Sequence, residues 1–395
     1  MTAAEATLHD AVREIRSRPV RQQPTWADAD DLSTACEQLR DRPTLVELAD
    51  VSALGLALAR VAAGEAHVVQ AGDCAEDPAD CGVSDVLRRV GLLDLLAGRM
   101  QLRTRRPVLR VGRIAGQYAK PRTRDTETVD GRELPVYRGH LVNGPEPDPR
   151  SRRADPRRLV HGHNAASAVM RHLGWWHAAT PVGAPVWTSH EALLLDYELP
   201  QLRRTLDGRL FLTSTHWPWI GDRTRQLDGA HVALLAAVEN PVACKVGPLM
   251  SAEELLALCA RLDPHHRPGR LTLIARLGAD SAADRLPELV RAVRQAGHPV
   301  VWLSDPMHGN TVVATSGFKT RFLNVVHREV RDFQHAVRTN GGTAGGLHLE
   351  TTPDDVTECV ACPADVDRVG DKYTSLCDPR LNPDQALSVI DAWAA

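Results

Sequence analysis

Short apolar runs separated by helix-length segments constrain this chain more than any other feature. From residue 66 onward eight such runs recur: His67-Val-Val-Gln-Ala71, Pro107-Val-Leu-Arg-Val111, Ala184-Pro-Val-Trp-Thr188, Leu210-Phe-Leu-Thr213, Pro241-Val-Ala-Cys-Lys-Val246, Leu271-Thr-Leu-Ile-Ala275, Pro299-Val-Val-Trp-Leu303 and Gly346-Leu-His-Leu-Glu350. Amphipathic helical stretches lie between most of them, clearest over residues 84–100, 251–262, 281–295 and 318–339. Ser84, Ser251 and Ser281 are the expected N-caps, since a serine hydroxyl accepts from the free amides of a first helical turn. Eightfold strand–helix alternation predicts an α/β fold, a parallel (β/α)8 TIM barrel; an open doubly wound sheet gives a similar pattern. Residues 1–62 read as an N-terminal helical extension, with a loop rich in amides at Arg21-Gln-Gln-Pro-Thr-Trp26, and residues 63–395 as the catalytic barrel. Residues 143–156, dense in proline and charge, are the most linker-like stretch. No fixed-period repeat and no low-complexity tract is visible.

Composition removes whole classes. No apolar run approaches the ~18 residues of a membrane-spanning helix, and the first residues lack the basic patch and apolar stretch of a secretory leader. Net charge is −3, from 47 basic and 50 acidic residues, and aromatics are 4%; a nucleic-acid binder shows a basic excess and stacking platforms. Eight cysteines in 395 residues are too sparse for a disulfide scaffold. The expectation is a cytoplasmic enzyme. Only four lysines stand among the basic residues: Lys120, Lys245, Lys319 and Lys372. Base-composition bias accounts for most of that skew, but lysine is a compact charge with a tunable pKa that arginine cannot replace.

Barrel chemistry gathers at the C-terminal ends of strands, and here those ends carry ionisable groups throughout. Two clusters emerge. Cys74, His308, Glu350 and Asp378 combine one thiol, one imidazole and two carboxylates, which suits a divalent transition metal in an open site. The Cys359–Cys362 pair has C-x-x-C spacing but no second pair, and reads as structural. Arg113, Lys120, Arg122, Arg223, Lys245 and Arg276 form a cationic set that would repel itself without an anionic ligand; guanidinium forks suit phosphate and carboxylate. A substrate with several negative charges beside a carbonyl-polarising metal is the inference.

The motifs Gln70-Ala-Gly-Asp-Cys-Ala-Glu76, Arg113-Ile-Ala-Gly-Gln-Tyr-Ala-Lys-Pro-Arg122, Ser304-Asp-Pro-Met-His-Gly-Asn310, Gly317-Phe-Lys-Thr-Arg321 and Cys377-Asp-Pro-Arg380 closely resemble the type II, plant-like 3-deoxy-D-arabino-heptulosonate 7-phosphate (DAHP) synthases. Arg21-Gln-Gln-Pro-Thr-Trp26, Tyr137-Arg-Gly139 and residues 264–271 are similar to the same family, so the resemblance runs from about residue 21 to about residue 385. It implies condensation of phosphoenolpyruvate with erythrose 4-phosphate, the first step of the shikimate pathway to aromatic amino acids, with release of phosphate. It implies Cys74, His308, Glu350 and Asp378 as ligands of a divalent metal, Mn²⁺ or Co²⁺. Arg223 and Arg276 would grip the phosphate of phosphoenolpyruvate, and Arg113, Lys120 and Lys245 its carboxylate. Arg122 and Thr123 would meet erythrose 4-phosphate, with Trp219 and Asp222 beside the substrates. Lys120, its pKa lowered among arginines, is the candidate proton donor to the aldehyde oxygen. Glu191 and His308 are the candidates for the proton of the attacking water. Family members commonly form dimers or tetramers, so a homo-oligomer is expected.

Against the family pattern, His140 replaces an Asp, Asp222 a Glu and Thr123 a Ser. Between Trp176 and Ser189 the chain has only a dozen residues, where feedback-regulated members carry a long helical insertion. Little inhibition by aromatic amino acids is therefore expected, as in the short enzymes of secondary metabolism. Cys377, beside Asp378, is placed to bridge Cys74 on oxidation, which would remove a metal ligand. Two rival readings stand: the same chemistry on an amino tetrose phosphate acceptor, giving an aminoDAHP synthase, and a non-catalytic regulatory paralogue.

Overall fold

The computed structural model describes residues 3–175 and 185–394. Three helices open the chain: α1 (Ala3–Arg16), α2 (Ala29–Arg40) and α3 (Leu48–Ala62). The chain then enters β1 (His67–Gly72), α4 (Val83–Thr104) and β2 (Val108–Arg113), followed by a hairpin of β3 (Thr126–Val129) and β4 (Arg132–Pro135). Next come α5 (Arg157–His172), β5 (Trp187–Glu191) and the short α6 (Leu195–Glu198). A second hairpin pairs β6 (Leu202–Arg204) with β7 (Leu210–Leu212) before β8 (Trp217–Ile220) and α7 (Ala230–Ala237). Regular alternation resumes through β9 (Val242–Val246), α8 (Ala252–Leu262), β10 (Leu271–Ala275), α9 (Ala279–Gln295) and β11 (Val301–Ser304). A third hairpin, β12 (Val312–Val313) with β13 (Lys319–Thr320), precedes α10 (Leu323–Thr339), β14 (Thr343–Glu350) and α11 (Pro383–Ala392). Strands β1, β14, β11, β10, β9, β8, β5 and β2 close into a parallel eight-stranded barrel in that order. The (β/α)8 expectation holds and the open sheet is excluded.

Seven of the eight predicted runs are barrel strands. The fourth is not: Leu210–Leu212 pairs antiparallel with Leu202–Arg204 outside the barrel, and Trp217–Ile220 takes its place. The stronger apolar run lost to a four-residue strand containing Pro218, because Trp219 aligns with both Glu191 and Ala243 in the closed sheet. Two helix starts also shift. Ser251 caps α8, accepting from the Glu254 amide, but glycines cap the other two, Gly82 for α4 and Gly278 for α9. Residues 318–322 lie outside α10, partly in the third hairpin. The linker-like stretch 143–156 is pinned rather than free: the buried Asn143 side chain donates to the carbonyls of Val136 and Arg152.

Helix α3 closes the N-terminal end of the barrel. Its buried Leu54, Leu58 and Val61 join an apolar cluster with Val68, Trp217, Ile274, Val301 and Leu303 from four strands. The Thr343 hydroxyl, at the start of β14, donates to the Ala62 carbonyl. The remaining core lies between the barrel and its outer helices.

Candidate functional site

The opposite, C-terminal end collects the ionisable groups. The Cys74 thiol and one carboxylate oxygen each from Glu350 and Asp378 lie within 4.8 Å of one another. His308 Nε2 stands 3.2 Å from Glu350 Oε1, so the fourth candidate touches this trio through Glu350. Each is aimed by a further group, as ligand sets usually are. Asp305 holds His308 through Nδ1 at 2.8 Å. Arg321 donates to Glu350 Oε2 at 2.8 Å, and Lys319 to Asp378 Oδ1 at 2.8 Å. The Asp378 amide donates to the Cys74 sulfur at 3.2 Å. One soft and three harder donors, converging and separately braced, fit a divalent transition metal.

Cations surround this set. Arg113 donates to Glu350 Oε1 at 3.1 Å and to the Asp73 carbonyl at 2.9 Å, and lies 2.6 Å from His348 Nε2. Lys120 Nζ is 3.5 Å from Glu350 and 3.3 Å from Asp378. Lys245 pairs with Asp305 at 2.6 Å. Arg276 donates to Asp222 at 2.9 Å and to the His308 carbonyl at 3.1 Å. Arg223 donates to the Thr123 hydroxyl at 2.9 Å. Acids of the protein thus relieve the repulsion at Arg113, Lys120, Lys245 and Arg276, and Arg122 lies 3.6 Å from Glu127, whereas Arg223 meets a hydroxyl rather than an acid. Lys120 departs from expectation: burial pulls its pKa down, but Cys74, Glu350 and Asp378 outweigh that and hold it well above the ordinary value. Lys245 is the depressed lysine, brought to about 8 by burial against the opposing pull of Asp305.

Glu191 enters from the end of β5. Burial raises its pKa against the pull of Lys120, Lys245, His308 and Arg223, and its Oε1 has no hydrogen-bond partner among the described residues. A Cβ at Gly221 would fall 2.0 Å from that oxygen, so any larger residue there would displace the carboxylate. Trp219 sits beneath the site: 2% exposed, its ring lies 5.4 Å from the Arg113 guanidinium, 5.8 Å from Lys245 Nζ and 5.2 Å from the His348 ring. Asp222 accepts from both Arg225 and Arg276 and acts as their bracket. His140 lies away from the metal cluster, 3.7 Å from Asp77 and edge-on to Tyr137; burial lowers its pKa. Cys377 lies near enough to Cys74 for each thiol to shift the other's ionisation, and both thiols are free. Cys359 is buried in the core. Residues 176–184 of the shortened connection lie outside the described residues.

Several site residues carried no role in the sequence reading. Asp305, His348 and Arg321 are wholly buried beside the ligands; all sit at strand ends or in the quoted motifs, which was the available signal. Glu76 accepts from the consecutive amides of Ala115, Gly116 and Gln117 and so shapes the loop that carries Lys120. Glu358, which anchors Arg380 at 2.8 Å, had no motif to reveal it. Among the described residues no helix is long and apolar enough to cross a membrane.

Comparison with known proteins adds an independent line. The chain matches the Class-II DAHP synthetase family over residues 10–180 and 174–394. It is 55% identical over 391 residues, covering 98% of both chains, to a Pseudomonas fluorescens protein named "Probable phospho-2-dehydro-3-deoxyheptonate aldolase". It is 38% identical over 439 aligned positions, again covering 98% of both chains, to the phospho-2-dehydro-3-deoxyheptonate aldolase of Streptomyces coelicolor. A solved aldolase of the same name from Francisella tularensis superposes with a TM-score of 0.54 at 12% identity, over 95% of this chain and 100% of that one; that likeness concerns the fold.

Proposed function

The chain belongs to the Class-II DAHP synthetase family, a transferase of the DAHP synthase type, and from that premise we propose how its mouth works. It condenses phosphoenolpyruvate with erythrose 4-phosphate in a metal-dependent reaction, with Mn²⁺ or Co²⁺ held by Cys74, His308, Glu350 and Asp378. The observation that carries this reading is the convergence of Cys74, Glu350 and Asp378, with His308 against Glu350, beside Lys120 and Arg113. A divalent cation bound there supplies Lewis-acid polarisation of the aldehyde.

The chain's own groups do the rest. Arg223 and Arg276 take the phosphate of phosphoenolpyruvate; Arg113, Lys120 and Lys245 take its carboxylate. This fixes C3 against the acceptor, which Arg122 and Thr123 hold by its phosphate. Trp219 closes the site from below and keeps water out of the barrel. Lys120, protonated because carboxylates surround it, donates to the aldehyde oxygen as the new C–C bond forms. Glu191, whose Oε1 has no hydrogen-bond partner among the described residues, accepts the proton of the water that attacks C2, with His308 as the other candidate. Lys120→Met is expected to lower kcat by roughly 10²- to 10⁴-fold; near-normal turnover would remove Lys120 from this role.

The deciding experiment is loss of the ultraviolet absorbance of phosphoenolpyruvate, measured with and without erythrose 4-phosphate, after chelation, and after Mn²⁺ or Co²⁺ is restored. Loss that needs both the sugar phosphate and the metal supports the reading. Loss only with an amino tetrose phosphate would transfer it to an aminoDAHP synthase, and no loss with metal bound would favour a regulatory paralogue.

Weak inhibition by Phe, Tyr and Trp belongs to the same proposal, and with it a role in secondary metabolism. The Streptomyces alignment spans 439 positions, more than this chain's 395 residues, so that relative carries segments missing here. Strong inhibition at physiological concentrations would refute it. The neighbourhood of the free thiols Cys74 and Cys377, joined through the Asp378 amide that donates to the Cys74 sulfur, supports a redox-sensitive ligand; peptide maps of oxidised enzyme that never contain the Cys74–Cys377 pair would count against it.

A further inference from the structure

We propose that Gln22, in the N-terminal extension, is a positioning residue for the acceptor's phosphate. The proposal rests on reading Arg122 as the acceptor-phosphate ligand. The amide-rich loop between α1 and α2 does not belong to the barrel, yet it reaches the mouth. Gln22 Oε1 accepts from the Arg122 backbone amide at 2.7 Å. Its neighbour works in the opposite direction: Gln23 Nε2 donates to the Leu193 carbonyl at 2.8 Å, and Gln23 Oε1 accepts from the Leu195 amide at 3.0 Å. Two adjacent amides thus tie the loop that follows Lys120 to the loop that follows Glu191.

The backbone at this point is specialised. Gln22 has φ of 62°, the left-handed region that a residue with a Cβ avoids. That turn sends the two side chains to different elements. The loop itself is moored on both sides. The Pro19 carbonyl accepts from the Ala230 amide at 2.9 Å, and Trp26 Nε1 donates to Asp196 at 2.9 Å.

The strap between β2 and β3 needs such a brace. Its near end is fixed by the three amides that bind buried Glu76, and Lys120 is fixed through its amide on the Arg138 carbonyl at 2.9 Å. Pro121 has no amide to offer, so Arg122 is the next backbone donor, and Gln22 takes it. One residue further, Thr123 accepts from Arg223. The brace therefore registers the acceptor arm against an arm for phosphoenolpyruvate, and the extension completes the active site.

Gln22→Gly tests this, because glycine keeps the left-handed turn while deleting the acceptor. The KM for erythrose 4-phosphate is expected to rise roughly five- to tenfold, the scale of one lost hydrogen bond. The kcat and the KM for phosphoenolpyruvate should stay within about twofold. Gln22→Glu retains an acceptor oxygen and should restore the acceptor KM. Deuterium exchange in the full chain, read on a peptide covering residues 119–124, should be faster in Gln22→Gly. An unchanged acceptor KM, unchanged exchange, or a parallel loss in kcat and both KM values without rescue by Gln22→Glu would overturn the proposal. A wild-type chain that ignores erythrose 4-phosphate would instead overturn the synthase reading, and exchange at Arg122 would still decide whether the brace exists.

Discussion

The two ends of this barrel are built from the same strands by opposite means. At the N-terminal end, Leu54, Leu58 and Val61 of α3 press on Val68, Trp217, Ile274 and Val301. At the C-terminal end, Glu350 alone meets Arg113, Arg321, Lys120 and His308. Strand β14 joins the two regimes: Thr343 hydrogen-bonds α3 at one end, and Glu350 faces the ligands at the other. Apolar burial is non-directional and stabilises whatever packs, whereas buried charges demand exact partners and return little net stability. The apolar floor, like the core between barrel and outer helices, contributes packing that the charged mouth does not.

Glu350→Gln is the hardest test of that division. Two arginines would lose their buried counter-charge, a change of the kind that costs about 3–5 kcal/mol, and metal affinity should fall at least ~10- to 100-fold. Thermal unfolding and metal titration check both. If stability is untouched, the mouth is not the tightly coupled network described, and the contrast between the ends weakens.

Leu58→Ala probes the other end. Leu58 is wholly buried, so truncation should cost roughly 2–5 kcal/mol through lost transfer energy and an unfilled cavity. Denaturant titration reads this, while kcat and both KM values of the folded fraction should remain within about twofold. A matching loss of kcat would show that the floor also shapes the mouth.

How much of this was legible in the sequence divides along the same line. Periodicity found seven barrel strands because apolar runs report burial. It missed Trp217–Ile220, where a proline interrupts the run, and preferred the uninterrupted apolar run Leu210–Leu212, which sits in a hairpin. Nothing local separates those two; only closure of the sheet does. The candidate ligands could be singled out because they stand in long motifs, three of them at or just after strand ends and Asp378 in the loop before α11. Their electrostatics were not. Lys120 has arginines at positions 113 and 122 nearby in sequence, which suggested a lowered pKa. In space it meets Glu350, 230 residues away, and its pKa goes up. Charge effects depend on neighbours that the fold supplies, so the sign itself was beyond reach of the sequence.

Lys245 sharpens the comparison through pH. Its pKa, lowered to about 8 from 10.5, means that the folded chain binds fewer protons than the unfolded one between those values. The charged form is penalised in the fold, so this group's contribution to stability improves as pH rises from 8 towards 10.5. Its attraction for a substrate carboxylate fades over the same range. The KM for phosphoenolpyruvate should therefore climb above about pH 8, by up to roughly tenfold per unit, while unfolding resistance from this group does not fall. Lys245→Arg should flatten that part of the profile, since arginine keeps its charge. A KM that is flat through pH 9 in the wild type would mean that Lys245 does not hold the carboxylate.

The smallest effect is expected at Asp222, where the family usually has Glu. Asp222 brackets Arg225 and Arg276, and a Cβ at Gly247 would fall 2.5 Å from its Oδ1, so the carboxylate is closely confined. An added methylene in Asp222→Glu must push the carboxylate along Arg276 towards the mouth. Arg276 keeps its second anchor on the His308 carbonyl at 3.1 Å, which limits how far it can move. The KM for phosphoenolpyruvate should change by no more than about threefold, below one typical hydrogen bond, with kcat unaffected. A drop in kcat would mean that the displacement passes through that carbonyl to His308, making the phosphate arm and the metal ligand one rigid unit.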